Sequence, residues 1–572
     1  MRASSSFGVW LGALLLANPA TAQQTPSARP AGDGGAIVVV GNVEPKSAWR
    51  RAEGEHVIVY STGDEEELRR VTRNLERLHA LMSRLYRKGG GDEVLKLQVV
   101  LIESRDRFRG MALKDLRSQE GPYAETFAGQ LHYDPREDGE LLAVVRADQH
   151  INLNTKRRFN LECDAHMAEG GTENCGAVVP QFPPLVRPWE AVLHAGFAQH
   201  FMLTYLPATY PRWYLDGIGA LYSTVMVRRS GAVDYARPPE AHHDHFQSYG
   251  YPNVAAILSG RYLAAAPDPG WSPYGAWLLA HYFLFGPLKP ERGAQFQAYM
   301  AAIRAGKPMA EAAAAFGDMR ALQREIEKHG RRDIAFAHAD APAPGASAAA
   351  DAEPLVSQLS QAGGALVEAR VELASYLARR AGDVDPGDWL AQIETRMAQL
   401  PFDADALVFM AEAECRAGRT ATCLATADRV LARIPDHGGA LTWKGVALTE
   451  RAIAGPAAVR ATGLAEARAT IERAIARDDR AVLPRIAWFQ SFARAGERVS
   501  EPALAGMAQV IRAVPAAPAP RLYLGQELLR RGDAGLARRL LDPVAHAGYD
   551  SPEKQIAAAL LGEIERSAGV GN

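Results

Sequence analysis

Residues 192–216 read VLHAGFAQHFMLTYLPATYPRWYLD, with Pro188-Trp189-Glu190 just before them. Proline is favoured in the first turn of a helix, so a helix is predicted to open there. It carries two imidazoles, His194 and His200, six positions apart. That spacing is about 600° of rotation, which separates the rings by roughly 120° around the helix axis. A regular helix does not bring both to one ion, and both read as polar or capping residues.

In a zincin, His-Glu-x-x-His on one helix turns two imidazoles toward a metal, and the Glu between them is the general base for the bound water. Phe197-Ala198-Gln199-His200-Phe201-Met202 resembles the end of such a block, HEYAHHFM, in gluzincins of the peptidase-MA-like group. Residues 210–222, YPRWYLDGIGALY, are similar to that group's second block, W-x-x-E-G-x-A-E-Y, with the closing Tyr222 one place late. Residues 274–285, YGAWLLAHYFLF, resemble the helix that follows the site in the same group. The resemblance implies an α+β zincin-like domain. Aligned without a gap, it puts Ala195 and Gln199 at the histidine positions, Gly196 at the glutamate position and Asp216 at the third ligand.

Those replacements remove the chemistry. Ala195 has no lone pair, Gln199 offers only a neutral amide oxygen, and Gly196 cannot accept a proton. Asp216 keeps a carboxylate on a shorter stem. Shifting the register to make His194 the first ligand puts alanines at the base and second-ligand positions. No catalytic residue, metal or cofactor is therefore expected. Zinc enters only in the alternative reading, a metal-dependent hydrolase with a rearranged site using Asp216, His194 or His200. Trp213 and Tyr222 read as core or cleft-wall aromatics, and with His194 and His200 they are the candidate cleft-binding residues. Asp216, if buried without a partner, would have a raised pKa.

The 572 residues suffice for several cores, and a net charge of −2 points to neither nucleic acid nor an anionic membrane as partner. The apolar run over 7–16, followed by Ala20-Thr21-Ala22, has the form of a secretory signal and is too short for a membrane span. The expectation is a signal peptide over 1–22, a flexible leader over 23–45 and a secreted product, periplasmic in a double-membraned bacterium. Cys163, Cys175, Cys415 and Cys423 form two local pairs. Disulfides suit that compartment, although sequence alone allows three connectivities; free buried thiols are the second reading, and a four-cysteine zinc site, with spacings too wide for knuckles, is a poor third.

A strand is predicted at 56–61, then a helix in which Leu68, Val71, Leu75, Leu78, Met82 and Leu85 recur at helical spacing. Strands follow at 97–102 and 141–146. This order resembles the zincin N-terminal subdomain, so 46–332 is assigned to the gluzincin-like domain. Residues 333–362, with Ala341-Pro342-Ala343-Pro344-Gly345, read as a linker. Beyond it, 400–407 (LPFDADAL) and 434–441 (IPDHGGAL) match at a step of 34 residues. That is the tetratricopeptide (TPR) period. Gly418 and Gly532 fall at helix turns, and Gly455-Pro456 lies in an insertion. An all-α TPR-like solenoid is expected over 363–567, with a concave surface for protein segments; an unspecialised helical bundle is the alternative. His242-His243-Asp244-His245, the densest group of potential ligands, follows Pro238-Pro239 and reads as a solvated loop. The sum is an exported pseudopeptidase joined to a TPR-like interaction domain with peptide or protein partners and no membrane span. A purely structural role is the third possibility.

Overall fold

The computed structural model describes residues 46–87, 94–111, 113, 131–151, 185–240, 242, 243, 246, 250–263, 273–341, 352–377, 386–548 and 551–569. The signal and leader segments, Cys163, Cys175, Asp244 and His245 lie outside them.

Residues 57–61 (VIVYS) alternate between buried and half-buried positions, whereas 141–145 (LLAVV) are buried throughout. Such patterns mark strands covered on one face and on both. They are β2 (Val57–Ser61) and β5 (Leu141–Val145) of a six-stranded sheet with β1 (Lys46–Glu53), β3 (Leu97–Ile102), β4 (Leu131–Asp134) and β11 (Leu355–Ser360). The order is β11-β1-β2-β3-β5-β4, with β2, β3 and β5 parallel and β4 antiparallel at one edge. Between β2 and β3 runs α1 (Glu65–Leu85), whose N-cap Asp64 accepts the Glu67 N–H at 2.7 Å. The predicted periodic residues of α1 are buried except Leu85, exposed in the last turn.

After α2 (Arg105–Gly110) and the pair β6 (Gln149–Ile151) and β7 (Leu185–Arg187) come α3 (Trp189–Tyr205) and α4 (Arg212–Ser223). Strand β9 (Val233–Tyr235) pairs antiparallel with β8 (Met226–Val227) on one side and with β10 (Ala337–Ala339) on the other. Between them lie α5 (Val254–Leu258), α6 (Pro273–Phe285), α7 (Pro290–Arg304), α8 (Met309–Ala312) and α9 (Met319–Gly330). One core joins α1, α3, α4 and α6 to the inner face of the sheet.

The expected linker over 333–362 is corrected here, because it supplies β10 and β11. Its weakly alternating LVSQLS at 355–360 pairs antiparallel with β1. The chain then enters α10 (Gln361–Leu377), whose Val367 and Val371 cover Trp49, Val100, Ile102, Leu141 and Val145 on the outer face of the sheet. The first helix of the C-terminal region is thus a layer of the N-terminal one, and from Pro45 onward the chain forms one compact unit.

Ten more helices follow: α11 (Pro386–Ala398), α12 (Ala404–Arg416), α13 (Thr420–Leu431), α14 (Gly438–Ala454), α15 (Ala457–Arg477), α16 (Val482–Ala493), α17 (Glu501–Ala513), α18 (Pro518–Arg530), α19 (Ala534–Ala545) and α20 (Pro552–Gly569). Each packs on the next, and α10, α12, α14 and α16 also pack on one another as an inner row. Gly418, Gly496 and Gly532 turn three of the pairs at φ of 75°, 73° and 81°, a conformation that favours glycine. The insertion at 455–456 corresponds to longer helices, since α15 has 21 residues against 12 in α13. Cys415 and Cys423 are bonded across the α12–α13 turn. No described helix is long and apolar enough to cross a membrane.

The β4–β5 turn reaches this array. Arg136 donates to the Arg370 carbonyl at 2.9 Å and pairs with Asp138 at 3.0 Å and Glu412 at 3.4 Å, while Arg416 pairs with Glu137 at 3.4 Å. Farther along, the Leu95 N–H donates to the Ala513 carbonyl at 3.0 Å.

Candidate functional site

Helix α3 starts with Pro188 as its N-cap residue, one place before the first turn, and is buried almost all round. Its middle lies against the sheet. A Cβ at Gly196 would stand 2.6 Å from Leu131 Cδ1 on β4 and 2.9 Å from Leu142 Cδ1 on β5. At the position that the resemblance gives to the general base, any side chain requires the ends of two leucines to shift, so glycine's helix penalty of about 1 kcal/mol is offset by close packing.

Helix α4 crosses α3 one turn farther on. A Cβ at Gly219 would lie 2.9 Å from Gln199 Nε2 and 3.2 Å from the Ala195 carbonyl, so glycine here makes room for the amide. Gln199 Nε2 donates to the Leu215 carbonyl at 3.1 Å and approaches Asp216 Oδ1 at 3.4 Å. Gln199 and Asp216 therefore meet, with Ala195 beside them. Arg212, four residues before Asp216, holds the Asp216 carboxylate through Nε at 3.0 and 2.9 Å. Gln199 Oε1 is buried and accepts no hydrogen bond among the described residues.

This donor set does not fit zinc. It offers one amide oxygen and one carboxylate already paired with a guanidinium, and no imidazole. No group of three or more His, Cys, Asp or Glu that could hold a metal ion occurs among the described residues.

The two histidines of α3 point elsewhere. Burial lowers the pKa of His194 to about 4, with Glu190 pulling it up and Arg70 pushing it down. His200 belongs to a buried network: it pairs with Glu140, which also accepts from Thr204 Oγ1 at 2.5 Å and Tyr133 OH at 2.6 Å. Burial pushes the Glu140 carboxyl up, but the charge and hydrogen bonds of His200, Thr204 and Tyr133 outweigh it and hold the pKa below the ordinary value. Nearby, His56 is hydrogen-bonded to Glu76 at 2.7 Å and stacks on His79 with centroids 3.6 Å apart. His200 is thus an anchor of α3 on the sheet.

The aromatic candidates are core residues. Trp213 Nε1 donates to Tyr299 OH at 3.0 Å, and Tyr299 donates to the Leu258 carbonyl at 3.0 Å. Tyr222 stacks on Tyr235 with an interplanar angle of 7°. His194, His200, Trp213 and Tyr222 are 6%, 1%, 0% and 2% exposed, so the expectation that they line a binding cleft is corrected: none presents a side chain to solvent. Gly217 allows α4 and α6 to touch, since a Cβ there would be 2.6 Å from the Ala276 carbonyl oxygen.

Sequence reasoning passed over Arg212 and Glu140. The first was findable, as an i, i+4 partner of Asp216. The second lies sixty positions from His200 and carries no local signal.

No family model matches this chain, and no curated protein does. Among solved structures, a thermophilic TPR protein of Thermus thermophilus is similar at 18% identity, covering 35% of this chain and 91% of that one, with a TM-score of 0.27. A superposition that loose carries no argument, and the repeated character of the helical region rests on its own packing.

Proposed function

We propose that the protein is an exported, non-catalytic scaffold: a pseudopeptidase with a gluzincin-like N-terminal part and a TPR-like helical array that binds protein partners. The observation that carries the first half is the occupancy of the four key positions. Ala195 and Gln199 stand where imidazoles would, Gly196 carries no base and is crowded by Leu131 and Leu142, and Asp216 is bound by Arg212. The rearranged hydrolase has no comparable support, because His194 and His200 lie on other faces of α3. Export is supported by the N-terminal apolar run, and the Cys415–Cys423 bond suits an oxidising compartment.

The binding role rests on the helical array, whose successive helices pack as an inner and an outer row. The inner row meets the chain's own β4–β5 turn through Arg136 and Glu137, so a partner docks on another face.

The test is zinc content after loading and dialysis of the tag-free mature protein, with casein hydrolysis alongside. Sub-stoichiometric zinc and no hydrolysis are expected. One zinc per chain that is lost in Asp216→Ala, together with hydrolysis, would replace this reading by the rearranged hydrolase.

A further inference from the structure

Between the C-terminal end of α11 and the last turn of α13 lies an open cleft of about 420 Å³. That is within the range of ligand pockets. Met397 and Leu407 contribute apolar surface, and Phe402, Asp403, Arg429 and Arg433 complete the walls. The one carboxylate among these six is engaged. Asp403 Oδ1 accepts the Ala406 N–H at 2.9 Å as N-cap of α12, and Oδ2 accepts from Ser360 Oγ at 2.5 Å.

The two arginines are not so engaged. Their neighbours are ion-paired: Arg416 with Glu412 at 2.9 Å, and Arg419 with Glu394 at 3.2 Å. Arg429 and Arg433 make no ion pair with a described carboxylate, and the Arg433 guanidinium lies over the Phe402 ring at 4.1 Å. Stacking on an aromatic face holds such a group while leaving its N–H donors outward. The cleft therefore presents two positive charges against the one negative charge of Asp403, a net excess of one positive charge, above an apolar floor.

From this juxtaposition we propose that the cleft is a docking site for an acidic peptide segment of a partner protein, with two carboxylates at alternate positions followed by an apolar side chain. Charge complementarity selects acid over base. Two cations select a peptide over a lone carboxylate: Arg429 lies in the last turn of α13 and Arg433 two residues past its end. Alternate side chains of an extended segment share one face. The apolar side chain then enters between Met397 and Leu407.

This site rests on the reading that the helical array binds proteins, and the experiment separates the two. Three dye-labelled peptides are titrated by fluorescence anisotropy against the full mature protein: Gly-Ser-Glu-Ser-Glu-Phe-Ser, the same peptide with Lys for Glu, and the same with Ser for Phe. The first is expected to bind saturably and to weaken as salt is raised. The other two should bind at least about tenfold more weakly. In the double variants Arg429→Gln/Arg433→Gln and Arg429→Glu/Arg433→Glu, the affinity for the first peptide should fall by at least about tenfold, with an unchanged circular-dichroism spectrum. Binding of the acidic peptide that both variants retain would overturn the cleft while leaving the array a binding region. No saturable binding of any peptide would overturn the cleft and count against the wider reading as well.

Discussion

At Gly196 the absence of a side chain and the closeness of α3 to the sheet go together, because Leu131 and Leu142 occupy the space next to its Cα. Gly196→Ala gains about 1 kcal/mol of helix propensity, yet its methyl would lie 2.6 Å from Leu131 Cδ1. Overpacking of a filled core costs about 1–3 kcal/mol. The variant is expected to be no more stable than the parent, and by up to about 2 kcal/mol less, in urea unfolding. A clear stabilisation would mean that the leucines give way freely. Burial also sets a pH dependence at this scale. His194 has a pKa lowered from 6.5 to about 4. Its folded form resists protonation, so its contribution is complete above pH 6.5 and is lost as pH falls toward 4, by about 3 kcal/mol at most. His281 is lowered to about 4 by burial and by the neighbouring His329, and acts in the same sense. Asp134 opposes them: burial raises its carboxyl to about 6, so protonation below that pH strengthens the fold. A His194→Leu variant isolates the first contribution. Its loss of stability between pH 7 and 4.5 should be smaller than the parent's, and an equal loss would show that His194 does not drive the change.

At the scale of elements, what the sequence made legible is what short-range spacing controls. The periodic apolar residues of α1, the uninterrupted run of β5 and the 34-residue step around α12–α14 each specify an element from its own residues. The meeting of Gln199 with Asp216 follows from packing α4 across α3. Strand β11 was not legible, because its six residues alternate weakly beside a segment rich in alanine and proline, and only the open edge of β1 gives it a partner. Trp213 and Tyr222 show the same limit, since an aromatic residue on a largely apolar helix looks alike in sequence whether it lines a cleft or fills a core. Gly217 states the geometry of the α4–α6 crossing most sharply. Because its missing Cβ would meet the Ala276 carbonyl oxygen at 2.6 Å, a neighbour that cannot rotate away, Gly217→Ala is expected to cost about 2–3 kcal/mol. Thermal unfolding of the variant within a degree of the parent would show that the two helices can separate without loss.

For the whole molecule, the division suggested by composition fails as a physical boundary. The outer face of the sheet carries Trp49, Val100, Ile102, Leu141 and Val145, and their cover includes Val367 and Val371 of α10. Each large apolar side chain left uncovered forfeits about 1.5–3 kcal/mol. A whole domain is stable by only about 5–15 kcal/mol. Uncovering that face, together with the β1 edge from which β11 is removed, is enough to exceed such a margin. A fragment of residues 45–341 is therefore expected to aggregate or to lack a cooperative transition, although it contains α3, α4 and α6 whole. The full chain should unfold as a unit on those same probes. A soluble, monomeric 45–341 fragment with a sigmoidal urea transition would show that the helical array is an appendage and not a layer on which the sheet depends.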